Sequence, residues 1–159
     1  MILLKTAGAL TLLLCSLEIA KRLNRAARED IRIIEAYTEL IRYVRTQIDC
    51  FAMPIGEILK KCDGGLLVGC GWQSDSIPES LYEIYTSCPV KDGEASKLIS
   101  SFCADFGNSY LDSQIKLCDT CIEELEKRRT ELFTALGARV KLNLTLCISS
   151  SLALIILFV

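Results

Sequence analysis

The chain has no histidine among its 159 residues, and that absence removes a good deal of chemistry at once. Histidine is the commonest general base, the usual activator of a nucleophile and the commonest nitrogen ligand for a metal, so most hydrolytic and zinc mechanisms lose their usual parts. An excess of one charge is lacking as well. Eighteen basic residues stand against 20 acidic ones for a net charge of −2, which disfavours nucleic acid as a partner. No stretch alternates polar and apolar residues in the manner of a strand, so the expected fold class is all-α.

Cysteine, by contrast, is plentiful. Nine of them (Cys15, Cys50, Cys62, Cys70, Cys88, Cys103, Cys118, Cys121, Cys147) lack the regular spacing of a disulfide framework and suit a reducing compartment. The only CxxC, Cys118 to Cys121, falls inside a helical pattern. One reading makes both sulfurs small apolar groups of a packing face; the alternative is a thiol or metal protein that uses Cys118 and Cys121. The first is favoured, because neither a second CxxC nor a histidine accompanies the pair. The glycine-rich run Gly64 to Gly71 has no GK[ST] and no preceding strand, so it matches no phosphate-binding fingerprint and reads as a flexible turn. The carboxylate pairs are those of solvated helix faces. No catalytic, metal-binding or cofactor-binding residue can be nominated. The expectation is a non-enzymatic protein with no cofactor and no small-molecule substrate.

Hydrophobic residues make up 51% of the chain, with a mean hydropathy of +0.35, and the two ends supply the excess. Residues 1–20 (MILLKTAGALTLLLCSLEIA) and 142–159 (LNLTLCISSSLALIILFV) flank a charged middle. Eighteen helical residues cover about 27 Å, which just spans a bilayer. The N-terminal run is weaker, since Lys5 and Glu18 bound twelve uncharged residues, but Lys5 can snorkel toward the far headgroups. A cleaved signal peptide is the rival reading. It is disfavoured because the basic residues follow the apolar run and no small-x-small cleavage site succeeds it. The expected organisation is therefore a transmembrane anchor over 1–20, a cytoplasmic helical domain over 21–141 and a second transmembrane anchor over 142–159.

Basic residues crowd the inner flanks of both apolar runs: Lys21, Arg22, Arg25, Arg28 and Arg32 on one side, Lys127, Arg128, Arg129, Arg139 and Lys141 on the other. By the positive-inside rule the middle faces the cytoplasm and both termini lie outside. Lys21, Arg22, Arg25, Arg28, Arg32, Arg139 and Lys141 are candidate contacts with the bilayer surface, each worth roughly 1 kcal/mol near anionic headgroups.

Within the middle, Ile34, Tyr37, Ile41, Val44, Ile48 and Phe51 step in threes and fours, which predicts a long amphipathic helix ending near Phe51, with Glu35, Glu39, Arg42, Arg45 and Asp49 on the wet side. A second such pattern runs through Leu111, Ile115, Cys118, Ile122, Leu125, Leu132 and Leu136. Ser109 and Asp112 have capping-box spacing at its start, and Gly137 is expected to loosen its join to the apolar end. Shorter helices are expected after Pro54, after a Ser76/Glu79 cap, and after an Asp92 cap through to Gly107.

The stretch Phe102 to Gln114 (FCADFGNSYLDSQ), followed by a charged helix, by Leu136-Gly137 and by a hydrophobic segment, resembles the C-terminal half of the stage III sporulation protein AB family, whose pattern is approximately FGxxLGxSDxxxQ. Phe102, Phe106, Gly107, Ser109 and Gln114 fit it; Cys103 stands for the first glycine and Tyr110 for the acidic residue. Gln47-Ile48 with Met53 to Leu59 (MPIGEIL) resembles the family's EI…TPLxEAL run, with Gln47 in place of the usual acid.

The resemblance implies a non-enzymatic membrane scaffold subunit of the mother-cell transenvelope, secretion-like complex of stage III sporulation. It implies a cytoplasmic domain similar to the platform protein of type II secretion and type IV pilus machines, with a secretion-type ATPase and sister membrane subunits as partners. The implied place is the bacterial cell membrane, on the mother-cell side of the outer forespore membrane. Family-like residues without core roles concentrate at Gln47, Pro54, Ser109 and Gln114, the candidate partner interface. A third reading is a peripheral regulator that recognises anionic lipid through Arg22 to Arg32.

Overall fold

The computed structural model describes the backbone of residues 2–74 and 76–158, and most side chains between Thr11 and Ala153. The described residues form six helices and no strand, as the absence of alternation predicts. These are α1 (Ile2–Phe51), α2 (Ile55–Lys61), α3 (Gly64–Gly69), α4 (Leu81–Ser87), α5 (Gly93–Asp105) and α6 (Leu111–Phe158). The chain divides into two compact units: unit 1 is Met1–Glu29 with Leu132–Val159, and unit 2 is Asp30–Glu131. Both long helices contribute to both units.

Unit 2 is an antiparallel pairing of α1 and α6 closed by the four short helices. The predicted stripe of α1 is its spine: Ile34, Tyr37, Ile41, Val44 and Ile48 are buried, against Cys118, Cys121 and Leu125 from α6 and Ile58, Leu59, Ile84 and Ile99 from the shorter helices. Each such aliphatic burial contributes about 1.5–3 kcal/mol. Phe51, expected at the end of the stripe, is instead 66% exposed. A three-and-four spacing drifts about 20° per heptad around a straight helix, so the stripe has turned off the core by its last turn. Ala52 then stops the helix with a left-handed φ of 47°, its N–H donating to the Ile48 carbonyl at 2.9 Å, and Pro54 follows.

The wet side of α1 is less wet than its pattern predicts. Arg45 donates to Asp119 of α6 at 2.7 Å and to Asp49 at 3.0 Å, Arg42 bridges Glu39 and Glu126, and Arg129 reaches Glu35 at 3.0 Å. Rising numbers on α1 meet falling numbers on α6, which fixes the antiparallel direction. Such half-exposed pairs are worth about 0–1 kcal/mol each, so they set register more than stability.

Several helix ends differ from expectation. The glycine run is helical over Gly64–Gly69 and a turn only at Cys70 and Gly71: the Asp63 carboxylate accepts the Gly65 N–H at 3.1 Å, and Leu67 and Cys70 anchor α3 in the core. Its glycines serve close approach, since a Cβ at Gly69 would lie 3.2 Å from that of Ala36 and one at Gly71 2.5 Å from that of Cys88. The cap of α4 is Ser80 rather than Ser76: its Oγ accepts the Glu83 N–H at 3.2 Å while Glu83 accepts the Glu79 N–H at 2.8 Å. Asp92 occupies the N-cap of α5 without capping it, because its nearly buried carboxylate is held by the Arg128 fork at 2.9–3.0 Å. α6 begins at Leu111 with no Ser109/Asp112 box; instead the Gln114 amide donates to the Ser109 carbonyl at 2.7 Å. It runs unbroken through Gly137.

One core group is poorly served. The Tyr37 hydroxyl is buried and has no hydrogen-bond partner, and burial, with smaller contributions from nearby thiols, pushes its pKa well above the ordinary value. A buried, unpaired hydroxyl costs about 1–3 kcal/mol. Tyr37→Phe is therefore expected to raise stability by about 1 kcal/mol, read as a higher urea midpoint at unchanged slope.

Candidate functional site

In unit 1 the two long helices meet along a seam whose α1 side is small and polar. Asn143 Nδ2 donates to Asn24 Oδ1 at 3.2 Å, and Ala20, one turn from Asn24, is 1% exposed. Ser16, Ala20 and Asn24 step by fours along α1; Leu136, Val140, Asn143 and Cys147 step by fours and threes along α6, all at least half-buried. Most of the described large aliphatic residues point the other way, Leu132, Leu136, Val140 and Ile148 excepted. Leu14, Leu17 and Ile19 on α1 and Leu142, Leu144, Leu146 and Leu152 on α6 are exposed.

That distribution is inverted relative to a water-soluble helix pair. In water the exposed leucines would be the driving force for closing the seam, and the asparagines would gain little by pairing. In hydrocarbon the leucines are solvated by acyl chains, small residues let the backbones approach, and an interhelical polar hydrogen bond is worth about 0.6–2 kcal/mol. Among the described residues one helix, α6, is long and apolar enough to cross a membrane, with a mean hydropathy of 1.2 over its most apolar stretch and none of that stretch buried. The expected N-terminal anchor over 1–20 has most of its side chains outside the described residues, Lys5 included. The same holds for the far end of the 142–159 run.

The expected surface cations cluster at one level of this pair. Lys21, Arg22, Arg25, Arg28, Arg139 and Lys141 are exposed, and Lys21 reaches Glu18 at 3.5 Å. Arg32, also exposed, belongs to unit 2. The candidate partner residues gather at the end of unit 2 where α1 finishes and α6 starts. Ser109 and Gln114 are joined by their hydrogen bond, Gln47 is half-buried in the last turns of α1, and exposed Pro54 opens α2, its carbonyl accepting from Glu57 and Ile58. Beside them the structure exposes aromatic surface that the sequence reading assigned elsewhere: Tyr110 at 91%, with Phe51 and Leu111.

The CxxC thiols are core groups. Cys118 and Cys121 are buried, and burial, above all other causes, pushes both thiols up to about 12, so neither is a thiolate near neutral pH. Cys70 and Cys103 are raised to about 12 in the same way. Among the described residues no group of three or more His, Cys, Asp or Glu is placed to hold a metal ion. A cleft of about 230 Å³ lined by Gly71, Trp72, Gln73, Ser74, Ser87 and Cys88 offers no acid–base pair among its lining residues. The seam escaped the sequence reading, although Ser16-x₃-Ala20-x₃-Asn24 is a small-residue repeat that could have found it.

No family model matches the chain, and neither the curated proteins nor the solved structures contain a match to it.

Two outcomes follow from this geometry. Unfolded thiols ionise near pH 9, whereas these four, three buried and Cys103 half-buried, keep their protons to about 12. Between those values the folded chain binds more protons than the unfolded one, so stability is full below pH 9 and declines as pH rises above it. Urea midpoints at about pH 8 and about pH 10 check the sign, and Cys103→Ala is expected to shrink the difference. In unit 1, the Asn24–Asn143 register sets position 20 opposite position 147. Ala20→Cys is therefore expected to cross-link to Cys147 on mild oxidation, leaving the two fragments of cyanogen bromide cleavage at Met53 joined until reduced. The exposed Ala26→Cys control should separate without reductant.

Proposed function

We propose that this chain is a non-enzymatic scaffold subunit anchored in a bacterial cell membrane by a helical hairpin, with residues 1–20 and 142–159 crossing the bilayer and residues 21–141 in the cytoplasm. The observation that carries the reading is the helix pair of unit 1: small α1 residues and an asparagine pair inside, seven exposed leucine and isoleucine residues outside, and a cationic level where these stop. The basic flanks orient it with both termini outside.

The assembly it serves is read from the resemblance of Phe102 to Gln114 and Met53 to Leu59 to the stage III sporulation protein AB family. On that reading the chain sits on the mother-cell side of the outer forespore membrane, in a transenvelope, secretion-like complex. It docks a secretion-type ATPase and sister membrane subunits. The cytoplasmic end of unit 2, with Gln47, Pro54, Ser109 and Gln114 beside exposed Phe51 and Tyr110, is the docking surface, because an aromatic that is 91% exposed gains most from being covered. Core thiols at Cys118 and Cys121 support packing and not redox or metal chemistry at that pair.

The full chain, co-expressed with the secretion-type ATPase of the same assembly and purified from membranes, is expected to bring the ATPase with it. Tyr110→Asp is expected to lower its recovery by about tenfold or more while leaving the helical content unchanged. Purification free of both the ATPase and every sister subunit would overturn the assignment.

A further inference from the structure

The cations of unit 1 are arranged and not merely numerous. Lys21, Arg25 and Arg28 follow at steps of four and three, so they share one stripe of α1. Each residue turns an α-helix by about 100°, which sets this stripe beside the seam residues Ala20 and Asn24 and not on the opposite side. The Asn24–Asn143 bond fixes the height of α6 against it. Arg22, Arg25 and Lys141 all lie within one turn of that bond, and Arg28 and Arg139 one turn further from the chain ends.

All of these side chains are exposed. Among the described residues, Glu18 pairs with Lys21, while Arg22, Arg25, Arg28, Arg139 and Lys141 have no ion-pair partner. Like charges packed at one level repel, and the two carboxylates of unit 1 near them, Glu18 and Glu29, are outnumbered by the six cations. Directly beyond them, toward the chain ends, each helix exposes leucine or isoleucine: Leu14, Leu17 and Ile19 on α1, Leu142, Leu144 and Leu146 on α6. An occupant must therefore carry negative charge on one end and hydrocarbon on the other. A free phosphate or a nucleic acid meets the first condition and not the second.

We propose that unit 1 is a binding site for an anionic phospholipid, its headgroup phosphate shared between the Lys21, Arg25 and Arg28 stripe of α1 and Lys141 of α6, its acyl chains along the exposed leucines. Guanidinium groups favour this role because their paired N–H donors match phosphate oxygens. The site rests on the hairpin reading, since only a membrane-inserted pair presents both features to lipid. It adds a selectivity that the hairpin alone does not require: the lipid at this level is phosphatidylglycerol-like, not zwitterionic.

The test uses the full chain reconstituted in vesicles of equimolar phosphatidylcholine and phosphatidylglycerol, with the retained lipid counted by native mass spectrometry after release in mild detergent. Phosphatidylglycerol is expected to be enriched at least about fivefold over phosphatidylcholine, the factor one cation near the surface supplies. Replacing Arg25, Arg28 and Lys141 together by glutamine should return the ratio to that of the vesicle. Retention at the bulk ratio by the unaltered chain, or unchanged enrichment in the triple variant, overturns the site. Alkaline carbonate separates this from a failure of the hairpin: a chain that stays in the vesicle pellet while retaining lipid at the bulk ratio loses only the site, whereas a chain that carbonate extracts loses both.

Discussion

The antiparallel pairing of α1 and α6 is the constraint from which the rest of this chain follows, and it is made twice with different chemistry. In unit 2 the helices share a dry face and are registered along its edge by Glu35 with Arg129, Arg42 with Glu126, and Arg45 with Asp119. In unit 1 they share a seam pinned by Asn24 and Asn143. The magnitudes divide the labour. Half-exposed ion pairs contribute about 0–1 kcal/mol each, and buried aliphatic side chains such as Ile34, Ile41 and Leu125 about 1.5–3 kcal/mol each. Apolar burial holds unit 2 together, and the charges decide which way round and at what offset.

The least exposed ion pair among the described residues lies elsewhere in unit 2. Asp92 has 6% of its side chain exposed and is gripped by the Arg128 guanidinium, which also reaches Glu94 and Glu131. Hydrogen bonding to Asp92, ahead of the neighbouring carboxylates, raises the Arg128 pKa. A carboxylate this buried cannot be left alone without large cost, so the contact ties the start of α5 to the middle of α6. That tie explains why Asp92 gives up its expected capping role: one carboxylate serves the guanidinium, and the α5 N-terminus does without a side-chain cap.

The all-α fold and the extent of both long helices were legible because three-and-four spacing over many residues is the most robust signal a sequence carries. Short elements were not. Gly64 to Gly71 reads as a turn by propensity, yet Gly64–Gly69 is helical because Asp63 caps it and Leu67 and Cys70 are buried, a tertiary override of local preference. Ser76 and Ser80 offer similar capping spacing, and only the placement of Leu81 and Ile84 in the core chooses between them. Of the candidate surfaces, the cations were legible as charge next to hydrocarbon, but their common level was not, since it depends on a bond between residues 24 and 143. In the sequence Tyr110 stands out only as a departure from a family pattern, and the spacing places Phe51 in the core, yet both are exposed. Both lie where periodicity runs out.

We propose that both ends of the chain cross a bilayer as one antiparallel pair, with residues 21–141 on the cytoplasmic side. Membrane-impermeant maleimide applied to intact cells tests it most directly, using single cysteines introduced at Ile2 and at Phe158 in chains whose native cysteines are replaced, and exposed Cys50 kept alone in a third. The account predicts labelling at both ends in intact cells and labelling of Cys50 only after permeabilisation. Labelling of Cys50 in intact cells, or of one end without the other, would contradict it.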